Sequence, residues 1–155
     1  MPQSDTRSHR YGHWLVVLQF SLLFGLIAIS SPMAALAQGN PGVWLLISLS
    51  VIVALAALQA NRFGNFNIHP SPKQNGRLVV HGIYRHIRHP MYTAVILFSL
   101  GCVLASPRIE TALILFALCL VLVRKARLEE TWLSDKYPSY ADYKAQTRGF
   151  FPGLF

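Results

Sequence analysis

Acidic residues are scarce in this chain, and charge of either sign is missing from long stretches of it. Six Asp and Glu stand against 14 Lys and Arg. Four runs, Trp14–Ala37, Val43–Ala60, Met91–Ala105 and Thr111–Val123, contain no Asp, Glu, Lys or Arg at all. A soluble domain of 155 residues cannot hide that much uncharged apolar sequence in one core, and a composition 53% hydrophobic but only 13% charged points to a bilayer. Cysteine is nearly absent. Cys102 and Cys119 lie at different depths of their runs and no C-x-x-C is present, which argues against a disulfide framework and leaves both as small apolar packing residues. Internal repeats and low-complexity tracts are also missing, so the chain reads as one domain.

The first two runs, as helices, measure roughly 36 and 27 Å at ~1.5 Å per residue, enough to cross a hydrocarbon core of ~30 Å. The third and fourth give only about 22 and 20 Å. They are separated by the short loop Ser106–Glu110, so they read as a membrane hairpin whose second helix runs on past Val123 into polar sequence. Pro32 and Gly25 predict a kink in the first run, and Pro41-Gly42 a tight outer turn. The expected fold is therefore an all-α integral membrane protein with about four transmembrane helices. Its parts are a cytosolic tail (1–13), spans at 14–37 and 43–60, a polar loop (61–90), the hairpin 91–105 and 111–123, and a cytosolic or interfacial segment (124–155).

Net charge is +8, but its distribution argues against nucleic acid as a partner. Every Lys and Arg except Arg108 falls before the first run, between the second and third, or after the fourth. The positive-inside rule then puts both termini and the 61–90 loop in the cytoplasm, with the basic residues against anionic membrane lipid, in a prokaryotic inner membrane. Ala35-Leu36-Ala37 resembles a signal-peptidase site. The apolar stretch before it is much longer than a signal peptide's core, which favours an uncleaved anchor.

Two polar motifs bracket the hairpin. The first is Gly82-Ile-Tyr-Arg-His-Ile-Arg-His-Pro-Met-Tyr92. His81, His86 and His89 invite a metal reading, but Arg85 and Arg88 beside them would repel a cation, and a metal site needs three or four converging ligands. No metal is expected. Pro90 fits the first position of a helix, whose amides, with Arg88 and His89, suit an anionic group. The second motif is Glu129-Glu130, two of the six acids. Helical pairing of Lys125 with Glu129 and of Arg127 with Glu130 is the plainer explanation for them. The hairpin nonetheless brings carboxylates and cationic groups together at one membrane edge. Such a pair suits a zwitterion carrying an ammonium and a carboxylate, as S-adenosylmethionine does.

The segment His81–Tyr92 resembles the G-x-Y-x-x-x-R-H-P-x-Y signature of the isoprenylcysteine carboxyl methyltransferase and phospholipid methyltransferase group. Downstream, Glu129-Glu130, Leu133, Tyr137, Tyr140, Tyr143, Arg148 and Phe150-Phe151-Pro152 resemble the rest of its pattern. Departures are Ile83 where a proline is frequent, Ala94 for a glycine, and Lys136-Tyr137-Pro138 around the family's Phe-Gly. The resemblance implies a small membrane methyltransferase that uses S-adenosylmethionine as cofactor. Gly82, Tyr84, His89, Pro90, Tyr92 and Tyr140 would help form the cofactor pocket, with Glu129 and Glu130 holding the methionyl ammonium. Arg88 and Arg148 would orient an acidic acceptor or the cofactor carboxylate. The partner would be a lipophilic or small methyl acceptor. A carboxylate needs only positioning, whereas an amine or thiol must first lose a proton, for which His69, His81 and His86 are the available bases. A small transporter or a structural membrane protein is the alternative, and transport is disfavoured because the runs offer only Gln19 and Gln59 as large polar groups.

Overall fold

The computed structural model describes residues 3–65 and 76–151, with side chains described from 10 to 61 and from 76 to 151. His69 and Pro152, which enter the expectations above, lie outside the described residues. Among those described, the structure is helical: α1 (Gln3–Ser30), α2 (Pro32–Ala37), α3 (Pro41–Asn65), α4 (Pro90–Ala105), α5 (Ile109–Lys136) and α6 (Tyr140–Gln146), with a 3-10 turn at Gly82–Arg85 before α4.

The first apolar run does not kink; it breaks. Pro32 supplies no N–H and its ring excludes the carbonyl four residues back. Ser31 turns into the left-handed region at φ 45°, and Pro32 restarts the chain as the first residue of α2. The outer turn also sits earlier than Pro41-Gly42. Gln38–Asn40 make it, with Gly39 at φ +73°, while Pro41 is already the first residue of α3. Asn40 Oδ1 accepts the amides of Gly42 and Val43 at 3.1 and 3.2 Å, capping donors that the helix cannot satisfy itself.

Two helices are long and apolar enough to cross a membrane, over Arg10–Ser30 and Pro41–Asn61, and both leave most of their apolar side chains uncovered. Trp14, Phe24, Leu45, Ile52 and Leu55 are exposed, and on α5 so are Ile109, Leu113, Phe116 and Leu120. Those four recur at helical spacing and form one outward stripe, which a lipid solvent accepts and water does not. α4 is a shorter apolar helix, and α5 carries on beyond Val123 to Lys136. Helix α3 packs along α4, and α1 along α5, with α4 and α5 in contact between them. Ser50 Oγ donates to the Ala94 carbonyl at 2.8 Å across the α3–α4 seam. Gly101 brings the two backbones close: a Cβ there would stand 3.2 Å from Ile47 Cγ1 and 3.5 Å from Leu46 Cβ. Small residues at such a seam are how helices gain contact in the absence of a hydrophobic driving force.

Replacing Gly101 with Leu should wedge this seam open and cost about 1–3 kcal/mol by overpacking. Gly25 has nothing within 4 Å of its Cβ position. Gly25→Ala should therefore leave stability unchanged or raise it by up to ~1 kcal/mol. Thermal unfolding in a neutral detergent reads both, and an unchanged midpoint for Gly101→Leu would contradict the seam.

Candidate functional site

The site is assembled where three pieces of chain meet at one end of the α4–α5 hairpin. The segment before α4 and the C-terminal segment join as a short parallel bridge at Ile87 and Arg148. Arg148 N donates to the His86 carbonyl at 3.2 Å, Arg88 N to Arg148 O at 2.7 Å and His89 N to Gly149 O at 3.0 Å. This pairing consumes the amides of Arg88 and His89, so they are not open to an anion. Pro90 opens α4 as the motif suggests, with His89 in the N-cap position. Gly82 sits at φ +60°, where a side chain is strained, and its Cβ position lies 3.1 Å from Ala60 on α3.

Glu130 is the hub. Its Oε1 accepts Arg88 Nε at 2.8 Å and His89 Nε2 at 3.1 Å, and its Oε2 meets the Lys144 ammonium of α6 at 2.7 Å. Arg88 continues through Nη1 to the carbonyls of Lys144 and Thr147. The guanidinium thus ties α5 to the last segment. Glu129 accepts the Tyr92 hydroxyl at 2.8 Å, and its Oε2 lies 3.6 Å from His89 Nδ1. His89 therefore has a carboxylate at each ring nitrogen, and its ring lies parallel to that of Tyr92 with centroids 5.3 Å apart. Phe150 tilts against both rings, and its carbonyl accepts Thr93 Oγ1. Tyr143 donates to the Tyr84 carbonyl at 2.7 Å. The Tyr140 side chain is buried, and its hydroxyl has no hydrogen-bond partner among the described residues.

These contacts set the protonation states. Burial alone would lower the pKa of His89, but the bonds and charges of Glu129 and Glu130 outweigh it and raise it above the ordinary 6.5. Burial alone would raise Glu130, but His89, Lys144 and Arg88 outweigh it and hold the carboxyl well below the ordinary 4.5. Tyr143 is pushed up to about 12 by burial first and by Glu130, with Arg88 opposing. Tyr84 and Tyr140 rise too, chiefly through burial. These three phenols thus keep their protons at physiological pH, beside a Glu130 carboxylate that stays ionised.

The structure brings Arg88, His89, Pro90, Tyr92, Glu129, Glu130, Tyr84 and Tyr140 into this cluster. Arg148 enters it through its backbone, with its side chain exposed. His81 and His86 are exposed, and among the described residues no three His, Cys, Asp or Glu gather as a metal site. Lys125 does not turn to Glu129: it is buried and donates to Gln19 of α1. Lys144 and Thr147 are not among the residues that the sequence pattern points to, whereas Phe150 belongs to the closing motif. Lys144 falls one turn after Tyr140 on α6, a spacing that puts both on one helix face.

Glu130→Gln removes the charge that Arg88 and His89 face, and should destabilise the protein by roughly 2–3 kcal/mol. The pH dependence has a defined sign. The Glu130 contribution is present above about pH 4.5 and is lost as the pH falls toward its depressed value. The His89 contribution is complete below about pH 6.5 and is lost as the pH rises through its elevated value. The midpoint gap between wild type and Glu130→Gln should therefore close in acid, and that between wild type and His89→Gln should close in base. Gaps that stay constant with pH would contradict these ion contacts.

Comparison with known proteins gives a consistent relationship. Over 153 residues the chain is 31% identical to the cobalt-zinc-cadmium resistance protein CzcN of Cupriavidus metallidurans, covering 94% of this chain but 65% of that protein. No solved structure matches it. The phospholipid methyltransferase family is matched over residues 40–140, a span that contains α3, the Gly82–Tyr92 motif, the α4–α5 hairpin and both glutamates. The chain belongs to the phospholipid methyltransferase family.

Proposed function

We propose that this membrane protein is a methyltransferase that uses S-adenosylmethionine and modifies a lipophilic or small acceptor at the cytosolic membrane face. One observation carries the reading: the half-exposed Lys144 ammonium rests on the outward oxygen of Glu130, at 2.7 Å. Glu130 thus already accepts an alkylammonium on its open side, while Arg88 and His89 hold its other oxygen. The methionyl ammonium is a group of the same chemistry. Glu129 and Glu130 would hold it, and the unpartnered Tyr140 hydroxyl and the rings of Tyr84, Tyr92 and Phe150 supply further polar and apolar wall. S-adenosylmethionine held there would supply an electrophilic methyl group on a sulfonium, for transfer to the acceptor's lone pair.

The protein's own work is alignment and exclusion of water. His89, with a carboxylate at each ring nitrogen and its pKa raised by them, fixes their orientation. Arg88 locks the C-terminal segment over the start of α4. The reading includes four spans with both termini and the 61–90 loop in the cytoplasm, and the charge asymmetry supports a cytosolic side for the cluster. A prokaryotic inner membrane suits the same topology. The relative's name ties that protein to cobalt, zinc and cadmium resistance, and the same physiological setting is proposed for this chain, with methylation as its chemistry.

Titration of the detergent-purified protein with S-adenosylmethionine tests the site. Wild type should bind at micromolar concentrations, and Glu129→Gln/Glu130→Gln should weaken binding at least tenfold. Lys144→Met, which removes the internal ammonium, should tighten it about threefold or more. A wild type that does not bind would overturn the enzyme reading. Binding that is unchanged in the carboxamide variant, or weakened in Lys144→Met, would overturn the placement of the ammonium.

A further inference from the structure

Lys125 is the first charged side chain on the buried face of α5, following Leu118, Val121 and Leu122. It is 2% exposed, and its Nζ donates to Gln19 Oε1 at 2.8 Å, Gln19 itself being 5% exposed on α1. The ammonium also stands over the Tyr92 ring, 5.1 Å from its centroid. Among the described residues no carboxylate lies within ion-pairing distance of it. An ammonium carries three N–H donors. A neutral amide, an aromatic face and the charge of Glu129 acting from beyond ion-pairing distance are weak recompense for taking a full charge out of water. A tie between α1 and α5 needs no charge, since two neutral polar side chains would make it at lower cost. An ionisable group at the edge of an apolar helix bundle marks a functional position by default.

Its place says which function. Lys125 lies one helical turn before Glu129, ~6 Å along the axis, on the side of the apolar runs. Tyr92 connects the two, with its hydroxyl on Glu129 and its ring under the ammonium. Under the reading above, Glu129 and Glu130 take the donor's ammonium, so the Lys125 cation stands between that group and the interior of the bundle, from which a lipophilic acceptor approaches.

We propose that Lys125, positioned by Gln19, seats an oxyanion of the methyl acceptor, a carboxylate or a phosphate at the head of an acyl or prenyl chain. Lys125 is then a specificity-determining residue and Gln19 its positioning residue. The α1 helix, which lies outside the family-matched span, completes the site. The inference rests on the methyltransferase reading for its meaning, but the anion preference that tests it is measured without a methyl donor.

The test uses the full-length protein in uncharged maltoside detergent with three probes of equal chain length: laurate, dodecyl phosphate and dodecanol. Wild type should bind laurate or dodecyl phosphate at least tenfold more tightly than dodecanol. The better anion identifies the headgroup as a free acid or as a phosphate. Lys125→Met should reduce the preference below twofold, Lys125→Arg should keep it, and Gln19→Leu should diminish it. Lys125→Met should keep its thermal midpoint, as replacement of a buried charge by an apolar side chain of similar volume allows, and its affinity for S-adenosylmethionine within twofold of wild type. Equal binding of all three probes by wild type overturns the proposal, and that comparison requires no variant to fold. A preference that survives in Lys125→Met overturns it too. Loss of S-adenosylmethionine binding in Lys125→Met would assign the cation to the cofactor and so reject it. Failure of wild type to bind S-adenosylmethionine, with the anion preference intact, would instead reject the methyltransferase reading alone.

Discussion

A single part-buried carboxylate governs how this end of the molecule is put together. Glu130 on α5 faces Arg88 and His89 from the segment leading into α4, and Lys144 from α6. Those three cations come from segments that bury few apolar side chains besides Ile87 and Tyr140. A charge-assisted hydrogen bond in a partly desolvated setting is stronger than its exposed counterpart, so the network reinforces that small apolar contact. It closes the C-terminal segment over the hairpin, and the Ile87–Arg148 bridge follows from that closure. The apolar helices supply the scaffold, but they do not specify this closure.

The same network presets the chemistry. Because Arg88 and His89 occupy one oxygen of Glu130, the other points to the half-exposed side, where Lys144 meets it. Glu129, held by the Tyr92 hydroxyl, lies beside it. The cationic neighbours that keep Glu130 ionised thus also leave one of its oxygens accessible to an exchangeable ammonium. In the proposed reading the ligand replaces an interaction the protein already makes with itself, which limits the reorganisation needed on binding.

Much of the fold was legible from the four uncharged runs. Absence of charge over 13 to 24 residues is a strong signal because each buried ion is so costly. The continuation of α5 past Val123 followed from helical character in Arg124–Leu133. Local departures came from proline and asparagine. Pro32 ends a helix outright when Ser31 takes the left-handed conformation, and Asn40 caps α3 with its side chain, which moves the turn one step earlier. The two motifs were legible as a pair because a short loop forces the hairpin. The roles within the cluster were not. Arg88 looked like a free cation and proves to be a clamp on carbonyls and Glu130. Lys125 looked like the helical partner of Glu129 and instead reaches Gln19, 106 residues away in sequence. Lys144 carried no signal of its own, since a lysine on a short polar helix is usually only solvated. Sequence spacing reports which residues share a helix face; it does not report which of several candidate partners a long flexible side chain meets across the fold.

Photo-crosslinking of radiolabelled S-adenosylmethionine to the full-length protein in membranes, followed by peptide mapping, tests the central claim most directly. The account predicts label in peptides from Tyr84–Tyr92 and Glu129–Phe150, abolished by excess unlabelled cofactor. Label confined to α1–α3, or no label displaced by cofactor, would contradict it.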